Sequence, residues 1–228
     1  HLNLVQQAII ENEICLCSIF VNPTQFNSTE DLDKYPNQIE TDLKLLKSIG
    51  CNIVFTPTKS EIYPSGFKSK KYNFGNLDKV MEGANRPGHF EGVAMVVSRL
   101  FDLIKPQKAY FGEKDFQQLA IIKSLTEQDQ LPIKIVPCPI SRENDGLAMS
   151  SRNIRLEQRY RVAARRIYQR LLELQDQITC KSVLELKQWM IEEYEEDKDL
   201  KLEYFEIANT QTLKKSNQWT DSQEHIAC

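Results

Sequence analysis

Ala109-Tyr110-Phe111-Gly112-Glu113-Lys114-Asp115-Phe116-Gln117-Gln118-Leu119-Ala120-Ile121-Ile122 is the stretch that decides the fold. Its apolar start reads as a strand that ends at Phe111. Phe116, Leu119, Ala120 and Ile122 then recur at helical spacing. Four polar residues, Gly112 to Asp115, fill the switch between them. A glycine lets backbone approach a ligand, a lysine brings a mobile positive charge, and a helix start offers unpaired N–H groups to an anion. A second polar run, Met149-Ser150-Ser151-Arg152-Asn153, lies between the turn-forming Asn144-Asp145-Gly146 and a helical segment. Two anion-suited turns in one chain point to nucleotide chemistry.

Outward from that switch, the alternation continues in both directions. An opening amphipathic helix carries Leu2, Val5, Ala8 and Ile9, and Ile14 to Val21 reads as a strand covered on both faces. Asn22-Pro23-Thr24-Gln25 breaks it. A helix with Pro36 in its first turn runs through Ile39, Leu43, Leu46 and Ile49 to Gly50, and a second buried strand spans Cys51 to Phe55, ended by Pro57. Glu61 to Gly75 reads as a long loop with one short strand. Val93 to Ile104 reads as a helix, Asp115 to Gln128 as another, and Ile133 to Val136 as a strand. Such alternation predicts an α/β fold with a Rossmann-like parallel sheet, in which ligands gather beyond the strand C-terminal ends.

After Pro137-Cys138-Pro139 the pattern changes. Glu157 to Leu174 carries an apolar stripe of Ala163, Ile167, Leu171 and Leu174. Val183 to Tyr194 is a second helix, and Leu202 to Ile207 a strand. Residues 1–140 therefore read as one domain and 141–228 as a smaller C-terminal α+β domain. The opening helix without a lead-in, and Gln218 to Cys228 without a closing element, read as a chain truncated at both ends.

The 228 residues carry 29 Lys+Arg against 32 Asp+Glu, a net charge of −3, which excludes the basic face a nucleic acid would need. No run is long and apolar enough to span a membrane, and no signal peptide is present. The six cysteines form no repeated framework, as in a reducing, cytoplasmic setting. No set of residues with metal-ligand spacing stands out, and no nucleophile triad.

Five motifs then carry a resemblance along nearly the whole chain. They are Phe20-Val21-Asn22-Pro23-Thr24-Gln25-Phe26, Glu30 to Pro36, Glu82 to Phe90, Phe111 to Gln118, and Asp145 to Asn153. In this order and spacing they resemble the pantoate–β-alanine ligase family of adenylate-forming nucleotidyltransferases. The resemblance implies condensation of pantoate with β-alanine, driven by ATP with Mg2+, through a pantoyl adenylate, and a homodimeric assembly. The family's His-x-Gly-His signature is matched only at its second histidine, by His1.

Carried over residue by residue, the resemblance implies catalytic roles for His1 and Lys114, both directed at phosphate. It implies pantoate or β-alanine contacts for Gln25, Gln118 and Asn22. ATP contacts fall to Gly112, Glu113, Lys114, Asp115, Ser141, Met149, Ser150, Ser151 and Arg152. Ser141 stands where the family usually has an apolar residue. Arg86 and His89 are second-tier candidates, and His89 reads equally well as a helix cap or a buried structural histidine. Without the resemblance, an exposed Lys-Asp pair and a Ser-Ser-Arg capping turn are ordinary surface features. Two alternatives stay open: a related nucleotidyltransferase acting on another acid, and a nucleotide-binding module without turnover.

Overall fold

Two strands joined by a helical crossover pair side by side in the same direction, because the crossover returns the chain to the strand's starting end. The computed structural model, which describes every residue except positions 27, 28, 34, 36, 37 and 221–223, contains two such ladders. β1 (Leu16–Ser18) runs parallel to β2 (Ile53–Phe55), with Leu16 opposite Ile53. β3 (Lys108–Gly112) runs parallel to β4 (Lys134–Cys138), with Gly112 opposite Cys138. These strands belong to one unit, His1–Phe74 with Arg86–Pro139, and the second unit is Gly75–Asn85 with Ile140–Cys228. The excursion Gly75–Asn85 departs from the sequence reading, which places it in the first domain.

Helices α1 (Leu2–Glu11), α2 (Thr29–Asp33), α3 (Ile39–Ser48) and α4 (Lys59–Ile62) precede α5 (Met81–Asn85), which lies in the second unit. α6 (His89–Ile104) and α7 (Phe116–Gln128) follow. The Pro36 start expected for α3 lies outside the described residues. The first strand is shorter than the Ile14–Val21 run, and its Leu16 and Cys17 are both half-buried. Cys15 is 5% exposed, whereas Ile14 is 67% and Ile53 47% exposed.

α6 starts at His89, four residues before the expected Val93. Gly92, a poor helix former, hides that first turn in the sequence. The core of the unit lies between α6, through Phe90, Val93, Ala94, Val97 and Phe101, and α7, through Leu119, Ile121, Ile122 and Leu125. Each of these side chains larger than alanine contributes about 1.5–3 kcal/mol by leaving water. α7 begins at Phe116 rather than Asp115, because Glu113–Asp115 forms a 3-10 turn of its own. The loop after α4 forms no strand among the described residues. Tyr72 instead donates to Asp129 Oδ2 (2.8 Å), and the Asn73 N–H to Gln128 Oε1 (3.1 Å), so the loop is bound to α7 and its end.

In the second unit, α8 (Gln158–Asp176) and α9 (Val183–Glu195) pack through Leu174, Val183, Leu186 and Met190 against Ile207. Ser182 and Glu185 form a reciprocal capping box at the start of α9. Ile167, expected on the buried stripe of α8, is 41% exposed, while Ala164 and Arg170 face inward. The strand expected over Leu202–Ile207 is instead β5 (Ile207–Asn209), paired antiparallel with β6 (His225–Ala227). Pairing starts only at Glu206, whose N–H bonds to Cys228 O (2.8 Å), and a strand exists only where it finds a partner. β6 is thus an element absent from the sequence reading of Gln218–Cys228. No helix among the described residues is long and apolar enough to cross a membrane.

Arg170 is buried because it is paired: with Arg166 it bonds to Asp197, at 2.8 Å and 2.7 Å. Burial alone would raise the Asp197 carboxyl. The N–H groups of Asp199 and Leu200, with the two guanidinium groups, outweigh it and hold the carboxyl at about 2. A carboxyl depressed in the folded state contributes stability above its unfolded value, near 4, and loses it as pH falls through about 2. Urea unfolding followed between pH 6 and pH 2 is expected to show falling stability below about pH 4. Asp197→Asn should be less stable at pH 6 and show a shallower acid slope; an unchanged slope would show that other carboxylates set it.

Candidate active site

Strand C-terminal ends place the two candidate turns of the first unit. The chain leaves β1 and enters a 3-10 turn, Pro23–Gln25, capped by the Asn22 side chain. Asn22 is 2% exposed and fully engaged. Its Oδ1 accepts from Thr24 N–H (3.3 Å), Thr24 Oγ1 (2.9 Å) and the Tyr63 hydroxyl (2.9 Å). Its Nδ2 donates to Gly92 O (3.0 Å) and to Gln25 Oε1 (3.3 Å). Its hydrogen-bonding groups are already used within the protein, where they hold the turn and Gln25.

α6 comes unusually close to this turn. A Cβ on Gly92 would lie 2.4 Å from Thr24 O and 2.9 Å from Gln25 Cα, distances that no real side chain tolerates. At the start of the helix, His89 Nδ1 lies 2.8 Å from Gln25 O, and Arg86 donates to the same carbonyl at 3.4 Å. A carbonyl can only accept, so Nδ1 of His89 carries the proton. Gln25 is thus held at its backbone by α6 and at its side-chain oxygen by Asn22. Among the described residues its amide nitrogen has no protein partner.

The second turn follows β3. Gly112 has φ −73°, and a Cβ there would meet nothing within 4 Å. Neither conformation nor packing asks for glycine, so its bareness keeps space open at the strand end. Lys114 Nζ lies 3.3 Å from Asp115 Oδ1, with the two side chains 40% and 60% exposed. An exposed pair of this kind adds at most about 1 kcal/mol. Glu113 is half-buried, and the partly exposed Gln118 sits in the first turn of α7. α6 packs against both the Pro23–Gln25 turn and α7, so one helix supports the elements that bear both sets.

The candidates from Ser141 to Arg152 lie in the second unit, in a hairpin and the turn after it. Met149 N–H donates to Ser141 O (2.9 Å), and Arg142 bridges to Ala148. Ser150 Oγ caps a 3-10 turn, Ser151–Arg155, by accepting from Arg152 N–H (3.2 Å). Met149 is 45% exposed and Arg152 is exposed. His1 is exposed at the N-cap of α1, where its side chain makes no capping bond. Sequence reasoning missed Tyr63 and Gly92. A glycine inside a helical pattern was the available signal for Gly92. Tyr63 lies in aperiodic sequence and gives none.

Comparison with known proteins follows the same lines. The model of the family described as pantoate-beta-alanine ligase matches residues 1–228. Pantothenate synthetase of Bacteroides thetaiotaomicron is 46% identical over 228 residues, which are 100% of this chain and 80% of the relative. Pantothenate synthetase of Cytophaga hutchinsonii is 44% identical over 233 residues, with 100% and 81% covered. A crystal structure of pantothenate synthetase from Thermus thermophilus superposes with a TM-score of 0.93 at 39% identity, covering 100% of this chain and 83% of that one. A Francisella tularensis pantoate-beta-alanine ligase, described as complexed with beta-gamma ATP and β-alanine, gives a TM-score of 0.71 at 39% identity. It covers 74% of this chain and 65% of that one.

The two glycines make a paired test of this geometry. Gly92→Ala is expected to lower stability by about 1–3 kcal/mol, because backbone must move. Gly112→Ala should stay within about 0.5 kcal/mol of the parent. Urea unfolding of both variants checks this, and equal losses would contradict the close approach at Gly92.

Proposed function

The chain belongs to the pantoate–β-alanine ligase family, and we propose that it activates pantoate with ATP at the strand-end turns of its first unit. A carboxylate is a poor acyl donor until its oxygen becomes part of a good leaving group. In the first step a pantoate carboxylate oxygen attacks the α-phosphorus of ATP. The bond to the β-phosphate breaks, leaving pantoyl adenylate and pyrophosphate. In the second step the neutral amine of β-alanine attacks the acyl carbon, the bond to AMP breaks, and the amine proton is released.

The observation that carries this reading is the Gln25 amide, fixed at one strand end while its nitrogen has no partner among the described residues. A neutral donor binds an attacking carboxylate without neutralising it, whereas a strong cation would hold the charge and blunt the attack. Gln118, partly exposed on the first turn of α7, is proposed to share that contact. The cation belongs where negative charge builds up, and Lys114 is proposed to hold the phosphates there. Gly112, Glu113 and Asp115 are proposed as further nucleotide contacts, with the open space at Gly112 admitting the phosphates. His1, at the start of α1, is proposed to donate to phosphate oxygens. Ser141, Met149, Ser150, Ser151 and Arg152 are proposed as further nucleotide contacts.

Magnesium fits as an ion carried by the nucleotide. Among the described residues no group of three or more His, Cys, Asp or Glu side chains is arranged to hold a metal. Asp115 offers a single exposed carboxylate, which suits Mg2+ bound chiefly by phosphates and water. When bound, the ion would neutralise phosphate charge. A homodimer is proposed on resemblance. A cytoplasmic location is proposed on the six free cysteines.

Lys114→Ala tests the assignment. Because the Lys114–Asp115 pair is exposed, the variant is expected to unfold within about 1 kcal/mol of the parent. AMP and pyrophosphate formation from ATP, pantoate and β-alanine should fall by about a hundredfold or more. Full activity in the variant would remove Lys114 from the chemistry.

A further inference from the structure

The Asn22 network does more than hold a turn, because it has only one consistent orientation. Thr24 N–H can only donate, so the atom of Asn22 that faces it must be the oxygen. Gly92 O can only accept, so the atom that faces it must be the nitrogen. These two backbone groups fix the Asn22 amide independently and agree. The second hydrogen of Nδ2 is then aimed at Gln25, which must answer with Oε1, at 3.3 Å. The Gln25 Nε2 group therefore faces away from Asn22, with both of its hydrogens available to a ligand acceptor.

Two side chains outside the expected site complete this arrangement. Tyr63 closes the acceptor side of Asn22 through a 2.9 Å bond to Oδ1. It is held in place by aromatic contacts with Phe20 at 6.3 Å and Phe67 at 5.4 Å between ring centroids. Burial pushes the Tyr63 phenol above its ordinary value, so it remains a donor throughout the working pH range. His89 fixes the other end of Gln25 by donating from Nδ1 to its backbone carbonyl at 2.8 Å. His89 is 8% exposed, and its ring packs edge-on against Phe90 at 4.9 Å.

We propose that Tyr63 and His89 are positioning residues for the acid substrate, which act through Asn22 and the Gln25 backbone to present the Gln25 N–H2 group as donor. The inference rests on the reading that Gln25 binds pantoate. It adds a specificity rule: the group that Gln25 receives is an acceptor, a carboxylate or an ether-like or hydroxyl oxygen, and not a donor such as an ammonium. It also separates the task of Tyr63 and His89 from that of the phosphate-binding turn. Their loss should raise KM for pantoate and leave KM for ATP in place.

Steady-state kinetics on Tyr63→Phe, His89→Asn, His89→Gln and Gln25→Ala test it. Asn can put its amide nitrogen where Nδ1 of histidine lies, whereas Gln reaches the Nε2 position instead. Tyr63→Phe and His89→Gln are expected to raise KM for pantoate on the order of fivefold, with kcat and KM for ATP within about twofold. His89→Asn is expected to stay close to the parent. A pantoate KM unchanged in Tyr63→Phe and His89→Gln, beside a raised one in Gln25→Ala, would overturn the positioning roles alone. Equal losses in His89→Asn and His89→Gln would overturn the role of the Nδ1 donor and leave only ring packing. An unchanged pantoate KM in Gln25→Ala would instead overturn the underlying reading of Gln25.

Discussion

A single buried amide organises the candidate site. Asn22 accepts three hydrogen bonds and donates two, and its partners come from the Pro23–Gln25 turn, from Tyr63 after α4 and from α6. A polar group taken out of water costs about 1–3 kcal/mol for each bond it fails to make, so partial versions of this network are disfavoured. The close approach at Gly92 is the steric half of the same constraint. Only a bare α-carbon lets α6 deliver its carbonyl to Asn22 and its first turn to Gln25.

The rest of the first unit can be read from this constraint. α6 is buried on one side against α7, whose start carries the second turn, and it braces the first turn on another. The division of chemistry follows. On the proposed reading, the neutral amides of Gln25 and Gln118 would receive the attacking carboxylate, and the exposed Lys114, which follows Gly112, would meet the phosphates.

Much of this is legible in the residues. The alternation of apolar runs with helix-spaced segments points to parallel strand pairing, and the resemblance carries the family. What escapes depends on contacts distant along the chain. The start of α6 is hidden because Gly92 weakens local helix propensity, and its reason, Thr24, lies far away in sequence. β5 and β6 escape because short strands are defined by their partner, and Ile207 finds Ala227 only in the fold. The bonds of Asn22 to Gly92 and Tyr63 are contacts of the same kind. A polar residue after a strand looks the same in sequence whether it meets substrate or satisfies the protein itself. Tyr63 leaves no periodic or compositional trace at all.

The account stands or falls on acyl-adenylate chemistry by this chain. The most direct measurement is exchange of labelled pyrophosphate into ATP in the absence of β-alanine, with and without pantoate. The account predicts exchange that requires pantoate, because pyrophosphate can return only through pantoyl adenylate. No exchange from folded protein, or exchange that ignores pantoate, would contradict it.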